Sequence, residues 1–445
     1  MAFSPDTLLP LLRRYPDSQR LILAYSGGAD SHVLLHALAQ LAPSLEIELL
    51  ALHVDHGLQV HSAAWAQHCV ETSTALGIPC QVLAVEVDRQ AGEGIEAAAR
   101  QARYGALAGA MHPGDLLLTA HHQDDQAETL LLQLLRGAGP KGLAAMATAM
   151  VFSYGHLLRP LLGSSRAELQ AYATLAGIEW VDDPSNRDIA FDRNYLRHQV
   201  LPLLQARWPS LGQTLGRAAR HQAEAAELQA DLAELDMAGH LLDGSLALQA
   251  LHGLSAIRCK NLLRHWISTQ DYAAPDEARL LSILRDLNPA AADASPVVAW
   301  HGVELRRYQQ RLYLMSSLAA ASPDRILAWD GLPLTLADSG LRLQTQGVSG
   351  AGLRETLFSG HRLEIRFRRG GESCRPVGRG HSKSLKQLLQ EARVLPWLRD
   401  RLPLIYVDGE LAAVAGVCVC EGFAAGSGEA GREIHYDRRI NAPDG

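Results

Sequence analysis

The chain has 445 residues, 47% hydrophobic and 20% charged, with a formal net charge of −7, a composition typical of a globular protein with two or three domains. Apolar runs such as 411–420 are too short to span a membrane, and the N-terminus lacks the basic-then-apolar pattern of an export signal, so we expect a cytoplasmic protein with no membrane partner. The six cysteines form no C-x-x-C motif, so neither a disulfide framework nor a zinc site is expected.

Residues 20–135 alternate between predicted strands and helices. The strands are expected at 21–25, 47–54, 81–85 and 116–120, and the helices at 32–40, 62–76, 95–110 and 124–136. Alternation at this spacing predicts an α/β fold, a parallel sheet with helices on both faces. Ligands of such sheets bind beyond the carboxyl ends of the strands, so the residues directly after each strand are the candidate site.

The first strand leads into a glycine turn and then a helix. The turn consists of Ser26, Gly27, Gly28, Ala29, Asp30 and Ser31, with Ser31 expected to cap the helix. Glycines let backbone N–H groups approach a phosphate, and the helix N-terminus favours an anion. No Gly-Lys-Ser/Thr follows, so this is not a Walker A loop. The turn places the Asp30 carboxylate close to where a phosphate would bind. Two anions lie this close only with a cation between them, so Mg²⁺ is implied beside a bound nucleotide.

Two further segments flank this loop. The end of the second strand reads His53-Val54-Asp55-His56-Gly57-Leu58, which is either a rim over the nucleotide, with His53 and Asp55 facing it, or a polar loop. On the third helix, Arg100 and Arg103 are three residues apart and share a face. They form either a solvated surface or the cationic wall of the site.

The fourth strand leads into a cluster of histidines and carboxylates. Its members are His121, His122, Asp124, Asp125 and Glu128. Carboxylates at a helix N-terminus also compensate the helix dipole. Three of them beside two histidines, at the edge where ligands bind, exceed that need, so we interpret the cluster as functional. The cluster has no H-E-x-x-H motif and no nearby cysteine, so a zinc site is a poor explanation for it.

Beyond residue 140 the pattern loosens. We expect a helix at 164–176 with a Ser165–Glu168 capping box. Arg193 and Arg197 fall on one helix face and are as compatible with a solvated surface as with function. The predicted domains are a catalytic domain at 1–211, a connecting helix at 212–237, a mainly helical substrate-binding domain at 238–322 and a C-terminal domain at 323–445.

The C-terminal domain contains a basic segment. Residues 361–402 carry eleven basic and four acidic side chains, although the whole chain is acidic. Such a local surplus suits a nucleic-acid partner, and a solvated surface is the alternative. Residues 404–419 predict a hairpin around Asp408-Gly409.

Together these motifs resemble the family of bacterial tRNA(Ile)-lysidine synthases, within the ATP pyrophosphatase (PP-loop) superfamily. The motifs that carry the resemblance are the glycine turn, 54–58, 121–129, 135–139, Asp183-Pro184-Ser185-Asn186, Arg193-Asn194-x-x-Arg197, 369–371, Lys383-x-x-Lys386 and Pro396-Trp397. The resemblance implies an N-type ATP pyrophosphatase fold, followed by a small helical domain and a small α+β domain. It covers nearly the whole chain, but the middle domain carries no matching motif.

The resemblance also implies an activity. Enzymes of this family use ATP to adenylate the C2 oxygen of the wobble cytidine in a CAU-anticodon tRNA(Ile). Free L-lysine then displaces AMP through its ε-amine. The resemblance implies ATP and Mg²⁺ as cofactors, and a homodimer is one option for the assembly.

The resemblance further assigns roles to residues of this chain. It implies that residues 26–31, with His53 and Asp55, hold ATP, and that Asp30 and Asp125 hold the metal. The implied catalytic residues are Asp30, His121, Asp125, Glu128, Arg100 and Arg193. The implied tRNA-binding residues are Arg103, Arg136, Arg197, Arg368, Arg369, Lys383 and Lys386. Which group acts as the general base stays open.

Other activities remain as alternatives. A tRNA thiolase of the same superfamily would need reactive cysteines or an iron–sulfur cluster, but Cys69 lies in a predicted helix and Cys80 opens a strand. An amidotransferase-like ligase would need an ammonia source, and none is visible. A catalytically inactive tRNA-binding protein is disfavoured, because clustered carboxylates repel RNA unless a cation occupies them.

Overall fold

The structure is a computed structural model that describes residues 2–57, 61–87, 95–181, 184–286, 297–319, 322–336 and 341–438. Leu58, Asp182 and Asp183 of the predicted motifs lie outside these ranges. The chain divides into two compact units, Met1–Leu228 and Gln229–Gly445. No helix among the described residues is both long and apolar enough to cross a membrane.

The first unit alternates strands and helices. Its strands are β1 Arg20–Ala24, β2 Glu48–Asp55, β3 Cys80–Ala84, β4 Leu116–Leu118, β5 Ala149–Phe152 and β6 Gly155–Leu158. Its helices are α1 Leu9–Leu12, α2 Ala29–Leu45, α3 Ser62–Ala75, α4 Ile95–Gly109, α5 Gln123–Leu135, α6 Pro140–Leu143, α7 Arg166–Leu175, α8 Asp192–Tyr195, α9 Leu201–Arg207 and α10 Leu211–Met237, the last of which continues into the second unit.

The described strands of this unit form one sheet in the order β3-β2-β1-β4-β6-β5. All neighbouring pairs are parallel except β5 and β6. Side chains of β1 alternate between the two faces: Leu21 and Leu23 pack into the core under α2 and α7, whereas Ile22 packs with Leu107 of α4 on the other face. The predicted parallel sheet covered by helices is confirmed.

Two local details of this unit differ from the prediction. Helix α2 begins at Ala29 with Gly28 as its N-cap, so the expectation that Ser31 caps the helix is wrong. The Ser31 hydroxyl instead donates to the Gly28 carbonyl from within the first turn, at 2.9 Å. The antiparallel β5–β6 pair was not predicted, because its strands are only four residues long.

The second unit is rich in antiparallel sheet. Its strands are β7 Leu241–Leu242, β8 Ser245–Ala247, β9 Val297–Trp300, β10 Val303–Tyr308, β11 Arg311–Ser316, β12 Ile326–Ala328, β13 Leu334–Leu336, β14 Leu341–Ser349, β15 Leu353–Arg354, β16 Leu363–Arg366, β17 Ser373–Cys374, β18 Lys383–Ser384, β19 Leu404–Val407, β20 Glu410–Val414, β21 Cys418–Val419 and β22 Ala430–Arg438. Its further helices are α11 Ala256–Ser268, α12 Glu277–Asp286 and α13 Leu385–Glu391.

These strands form small separate sheets. In the described part of the unit their orders are β7-β8-β11-β10-β9, β12-β16-β19-β20-β21, β13-β14-β22-β15 and β17-β18. The prediction of a mainly helical middle domain is therefore incomplete, because α11 and α12 pack with a five-stranded sheet. The predicted hairpin around Asp408-Gly409 is confirmed as β19–β20, and both turn residues have positive φ.

A disulfide joins Cys374 to Cys420 in the C-terminal region. The sequence suggested no disulfide framework, and this single bridge was not predicted. The two cysteines are 46 residues apart. An isolated bridge between Pro376 and Cys420 brings them together, and such long-range proximity has no signature in cysteine spacing.

Candidate active site

A cavity of about 1210 Å³ lies at the carboxyl edge of the parallel sheet in the first unit. It is lined by the glycine turn after β1, the end of β2, one side of α4, the turn after β4 and the segment around α8. The fold therefore opens a large concavity at the edge where parallel sheets bind ligands.

The glycine turn after β1 has the close packing that a phosphate loop requires. Gly27 has φ +79°, and a Cβ there would lie 2.8 Å from the Cys69 sulfur. The Ser26 and Ser31 hydroxyl oxygens are 3.0 Å apart and brace the two ends of the turn. The N-terminus of α2 opens beyond it, so unpaired backbone N–H groups and the helix dipole favour an anion here.

The end of β2 borders this turn. The His53 Nδ1 donates to the Tyr25 carbonyl at 2.9 Å, and the Asp55 carboxylate accepts from the Gly57 backbone N–H at 2.9 Å. His53 and Asp55 both line the cavity. The predicted rim is thus next to the loop, with its side chains held by backbone groups.

His122 links the glycine turn to the carboxylate cluster. It is the N-cap of α5, and its Nδ1 accepts from the Asp124 backbone N–H at 3.2 Å, so a proton on Nε2 is directed at carboxylates. The Nε2 lies 3.4 Å from both Asp30 Oδ2 and Asp125 Oδ2. Burial alone would lower the pKa of His122, but the hydrogen bond and charge of Asp30 and the charge of Asp125 outweigh it and raise that pKa.

Two arginines hold the other carboxylate oxygens of the cluster. Arg193 and Arg197 donate through Nε to the two oxygens of Glu128 at 2.7 and 2.6 Å. Both also donate to Asp125 Oδ1, at 3.2 and 3.0 Å. Glu128 is 1% exposed, so its charge is buried and fully paired.

His121 lies beside this network. Its Nδ1 is 2.9 Å from the hydroxyl oxygen of Thr119. Burial lowers the pKa of His121 to about 3, with the Asp125 charge acting in the opposite direction. The imidazole is therefore neutral near pH 7 and has a lone pair available.

The structure brings most predicted site residues to one cavity. Those that line it are Ser26, Gly28, Ala29, Asp30, Ser31, His53, Asp55, Arg100, Arg103, His121, Asp125, Arg193 and Arg197. Glu128 lies directly behind Arg193 and Arg197, and Gly27 forms the turn itself. Arg136 is different, because it is the exposed C-cap of α5, at the end of the helix opposite the cluster.

The basic segment lies in the second unit, where many of its charges are paired. Arg368 contacts Asp400 at 2.9 Å, Arg369 contacts Asp324 at 3.0 Å, and Lys383 contacts Glu391 at 2.5 Å. Lys386 is exposed and makes no ion pair with any described residue. Asp400 and Glu391 are among the four acidic residues already counted in the segment, whereas Asp324 lies outside it and further reduces the local surplus.

Sequence reasoning placed His122 in the functional cluster without assigning it a role of its own, and it did not single out Thr119. His122 stands three residues before Asp125 at a helix start, which is the spacing of a capping box, although histidine is an unusual N-cap. Thr119 had no sequence signal, because its contact depends on the path of the chain after β4.

The fold and the site of the first unit are those of PP-loop proteins, a class that binds nucleotides. The family model described as "PP-loop domain" matches residues 6–204, "TilS substrate binding domain" matches 246–313 and "TilS substrate C-terminal domain" matches 363–436. Together these matches account for most of both units.

Comparison with known proteins narrows the class. A tRNA(Ile)-lysidine synthase of Coxiella burnetii is 42% identical over 97% of this chain and 96% of the relative. Another, of Alkalilimnicola ehrlichii, is 44% identical over 96% of both chains, and one of Xanthomonas axonopodis pv. citri is 45% identical over 93% and 92%. The chain belongs to the tRNA(Ile)-lysidine synthase family.

Proposed function

We propose that this protein is an ATP-dependent ligase that forms lysidine in tRNA(Ile). ATP would adenylate the C2 oxygen of the wobble cytidine of a CAU anticodon, and the ε-amine of free L-lysine would then replace AMP. The observation that carries the proposal is that Asp30 of the phosphate loop and Asp125 of α5 line one cavity and both lie beside the buried His122. Family membership supports the same reaction.

Binding of the ATP phosphates is assigned to the turn of residues 26–31. Backbone N–H groups at the start of α2 suit the pyrophosphate portion, and His53 and Asp55 border the same space. Arg100 and Arg193 line the cavity as well, where their charges would offset charge developing on the departing pyrophosphate.

The donor set fits Mg²⁺ bound together with a nucleotide. No group of three or more His, Cys, Asp or Glu side chains among the described residues could hold a metal unaided. Mg²⁺ typically takes only one or two carboxylates and completes its shell with phosphates and water. Asp30 and Asp125 would hold it, and the ion would neutralise part of the triphosphate charge.

Lysine is cationic at neutral pH and needs both a counter-charge and a proton acceptor. The Asp30 and Asp125 carboxylates offer the counter-charge. His121 is neutral because burial lowers its pKa, so it can accept a proton, and an anionic nucleotide bound nearby would make it a stronger base. This supports His121 as the acceptor, with Glu128 acting through the two arginines it holds.

The alternative of tRNA thiolation has little support. Burial raises the pKa of Cys69 to about 12 and that of Cys80 to about 11, so neither is a thiolate at neutral pH. A catalytically inactive tRNA-binding protein would have no use for the paired carboxylates at the phosphate loop.

The remaining assignments concern the partner and the assembly. Arg103 of the cavity, exposed Arg136, and the residues Arg368, Arg369, Lys383 and Lys386 are proposed to contact tRNA, with Arg197 joining them at the cavity. We also propose a cytoplasmic location, where tRNA and free lysine are present. A homodimeric assembly is a further proposal.

Incubation with ATP, Mg²⁺, radiolabelled lysine and a CAU-anticodon tRNA(Ile) transcript tests the function. We expect lysine to enter the tRNA and AMP to be released. A transcript with guanosine at the wobble position is the matched control and should remain unlabelled. Release of ADP, or labelling of the control transcript, would contradict the proposal. The Asp30→Ala variant should lose turnover while keeping its melting temperature.

A further inference from the structure

The disulfide of the second unit joins two segments that backbone contacts also hold side by side. Cys374 ends β17, and Cys420 follows β21 directly. The Glu421 backbone N–H donates to the Arg375 carbonyl at 2.7 Å, and an antiparallel bridge joins Pro376 to Cys420. These backbone contacts involve no sulfur atom, so they keep the two cysteines adjacent when the bridge is reduced.

A third cysteine lies in the same place. Cys418 is two residues before Cys420 and packs against the small apolar cluster of Cys374, Leu388 and Cys420. Its thiol is free and only partly buried, whereas Cys374 and Cys420 are 4% and 5% exposed. Three of the six cysteines of the chain thus gather at one point. A thiol beside a second thiol that can resolve it is typical of redox-sensing sites.

The proposed location makes a permanent bridge a poor explanation for this group. Disulfides are rare in the cytoplasm, where thiols are kept reduced, and those that form there are mostly transient and serve catalysis or redox sensing. None of the residues that line the cavity of the first unit is a cysteine. A catalytic role in that cavity is therefore excluded for this pair, and redox sensing remains.

The bridge is attached to the strand pair that leads into α13. In the β17–β18 ladder Cys374 lies directly opposite Lys383, and Ser384 then caps α13. Arg379, in the turn between the two strands, contacts Glu391 of α13 at 2.6 Å, and the same carboxylate contacts Lys383 at 2.5 Å. A crosslink at Cys374 therefore restrains the basic residues of this turn and of the start of α13.

This strand pair needs such a restraint because it is small. Strands β17 and β18 have two residues each and form a sheet of their own. The turn of residues 375–382 between them is exposed apart from Pro376. An isolated pair of strands is marginally stable in water, so its order depends on contacts outside it. A covalent bond to the segment after β21 reduces the conformations that the turn can adopt.

We propose that Cys374 and Cys420 form a reversible redox site, and that their oxidation strengthens tRNA binding by ordering the basic turn before the tRNA arrives. Ordering a binding surface in advance lowers the entropy lost on association. The choice of tRNA as the ligand rests on the proposed function.

Oxidised glutathione is a sufficient oxidant for this site. The thiolate of one cysteine attacks a glutathione sulfur, and the first glutathione thiolate leaves. The thiolate of the second cysteine then attacks the mixed disulfide, the Cys374–Cys420 bond forms and the second glutathione leaves. The two cysteines are oxidised, glutathione disulfide is reduced, and the two protons lost by the cysteines appear on the two glutathione thiols.

Titration of tRNA into the two redox forms tests the proposal. Full-length protein is equilibrated with oxidised glutathione or with dithiothreitol, and the reagent is then removed. Peptide mapping by mass spectrometry without reduction should find the Cys374–Cys420 crosslink only after oxidation. The dissociation constant for tRNA should be about two- to fivefold lower in the oxidised form. The slope of log affinity against log salt should be the same in both forms, because the phosphate contacts are the same.

Two variants identify the responsible pair. Cys374→Ala should bind tRNA as the reduced wild type does after either treatment. Cys418→Ala is the matched control, since it removes a free thiol from the same cluster, and it should keep the full redox response.

Three results would overturn the proposal: no crosslink after oxidation, equal tRNA affinities of the two wild-type forms, or a redox response that persists in Cys374→Ala. The first two need only the wild-type protein, so they hold even where a variant folds poorly. Redox-dependent tRNA binding without incorporation of lysine would count against the proposed function alone.

Discussion

At the scale of single residues, the site depends on which charges are neutralised before a ligand arrives. Glu128 accepts hydrogen bonds from two arginines and is buried, whereas Asp30 is partly exposed at the mouth of the phosphate loop. Two residues predicted for catalysis thus have different physical roles. Glu128 holds the arginines in place, and Asp30 stays available for a ligand.

Glu128→Gln should test the first of these roles. The substitution keeps the shape but leaves two partly buried guanidinium groups without their main counter-charge, which we expect to cost about 3–5 kcal/mol of unfolding free energy. Urea denaturation at neutral pH measures it. Glu355→Gln is the control, because the Glu355 carboxylate that pairs with Arg432 is 43% exposed whereas that of Glu128 is 1% exposed, so its midpoint should move much less. An unfolding midpoint for Glu128→Gln equal to that of the wild type would show that the Glu128 charge is not needed to hold the two arginines.

His32 offers a prediction about pH. The side chain is buried next to Tyr25 and His68, and burial lowers its pKa from 6.5 to about 4. As the pH falls below about 6.5, His32 takes up a proton in the unfolded chain but not yet in the folded one. Protonation therefore favours the unfolded chain, and the unfolding free energy declines between about pH 6.5 and pH 4. For this group the loss between pH 7 and pH 5 is about 2 kcal/mol.

His32→Leu should remove that contribution and flatten the dependence of the unfolding free energy on pH, measured on nucleotide-free protein. The exposed His61 provides the control, since His61→Leu should leave the slope as it is. A slope in His32→Leu as steep as that of the wild type would assign the acid sensitivity to other groups.

At the scale of elements, prediction succeeded where one local pattern decides the structure. Strands β1 to β4 and helices α2 to α5 were found within a few residues, because continuous apolar runs and Gly or Pro boundaries mark them. The sheet of the middle domain was missed, since strands such as β10 carry alternating charged residues and depend on distant partners. The glycine turn, the end of β2 and the segment around His121 could be located from the sequence because they follow the ends of parallel strands. The pairing of Glu128 with Arg193 and Arg197 could not be predicted from the sequence, because these arginines are 65 and 69 residues away along the chain.

The glycine turn shows how an element limits its own sequence. Gly27 adopts φ +79° and has a sulfur 2.8 Å from where a Cβ would lie, whereas Gly28 is extended and its nearest neighbour would be 3.6 Å away. We expect Gly27→Ala to cost about 1–2 kcal/mol from backbone strain alone and to weaken ATP binding. Gly28→Ala is the matched control and should lose far less stability. Unfolding curves of both variants measure these losses of stability. Equal losses for Gly27→Ala and Gly28→Ala would show that the turn can relax to accept a side chain.

At the scale of the whole molecule, net charge conceals an uneven distribution. The chain is acidic overall, yet its C-terminal region concentrates basic residues, many of them in ion pairs. Paired cations contribute less to binding a polyanion, because a partner carboxylate must be displaced or tolerated. Counting charges in the sequence therefore overstates the positive charge that the surface offers to tRNA. We expect the basic residues without an acidic partner to contribute most of the binding.

Lys383 and Lys386 form a natural pair for testing this. Lys383 lies in β18 and Lys386 in the first turn of α13, but Lys383 contacts Glu391 whereas Lys386 has no ion pair in the described structure. If each phosphate contact releases about one counterion, Lys386→Ala should weaken tRNA binding and reduce the slope of log affinity against log salt by about one. Lys383→Ala should change the slope less, because the Lys383 charge is already partly neutralised by Glu391. Titrations of tRNA at several salt concentrations measure both slopes, and an unchanged slope for Lys386→Ala would mean that this face is ordinary solvated surface.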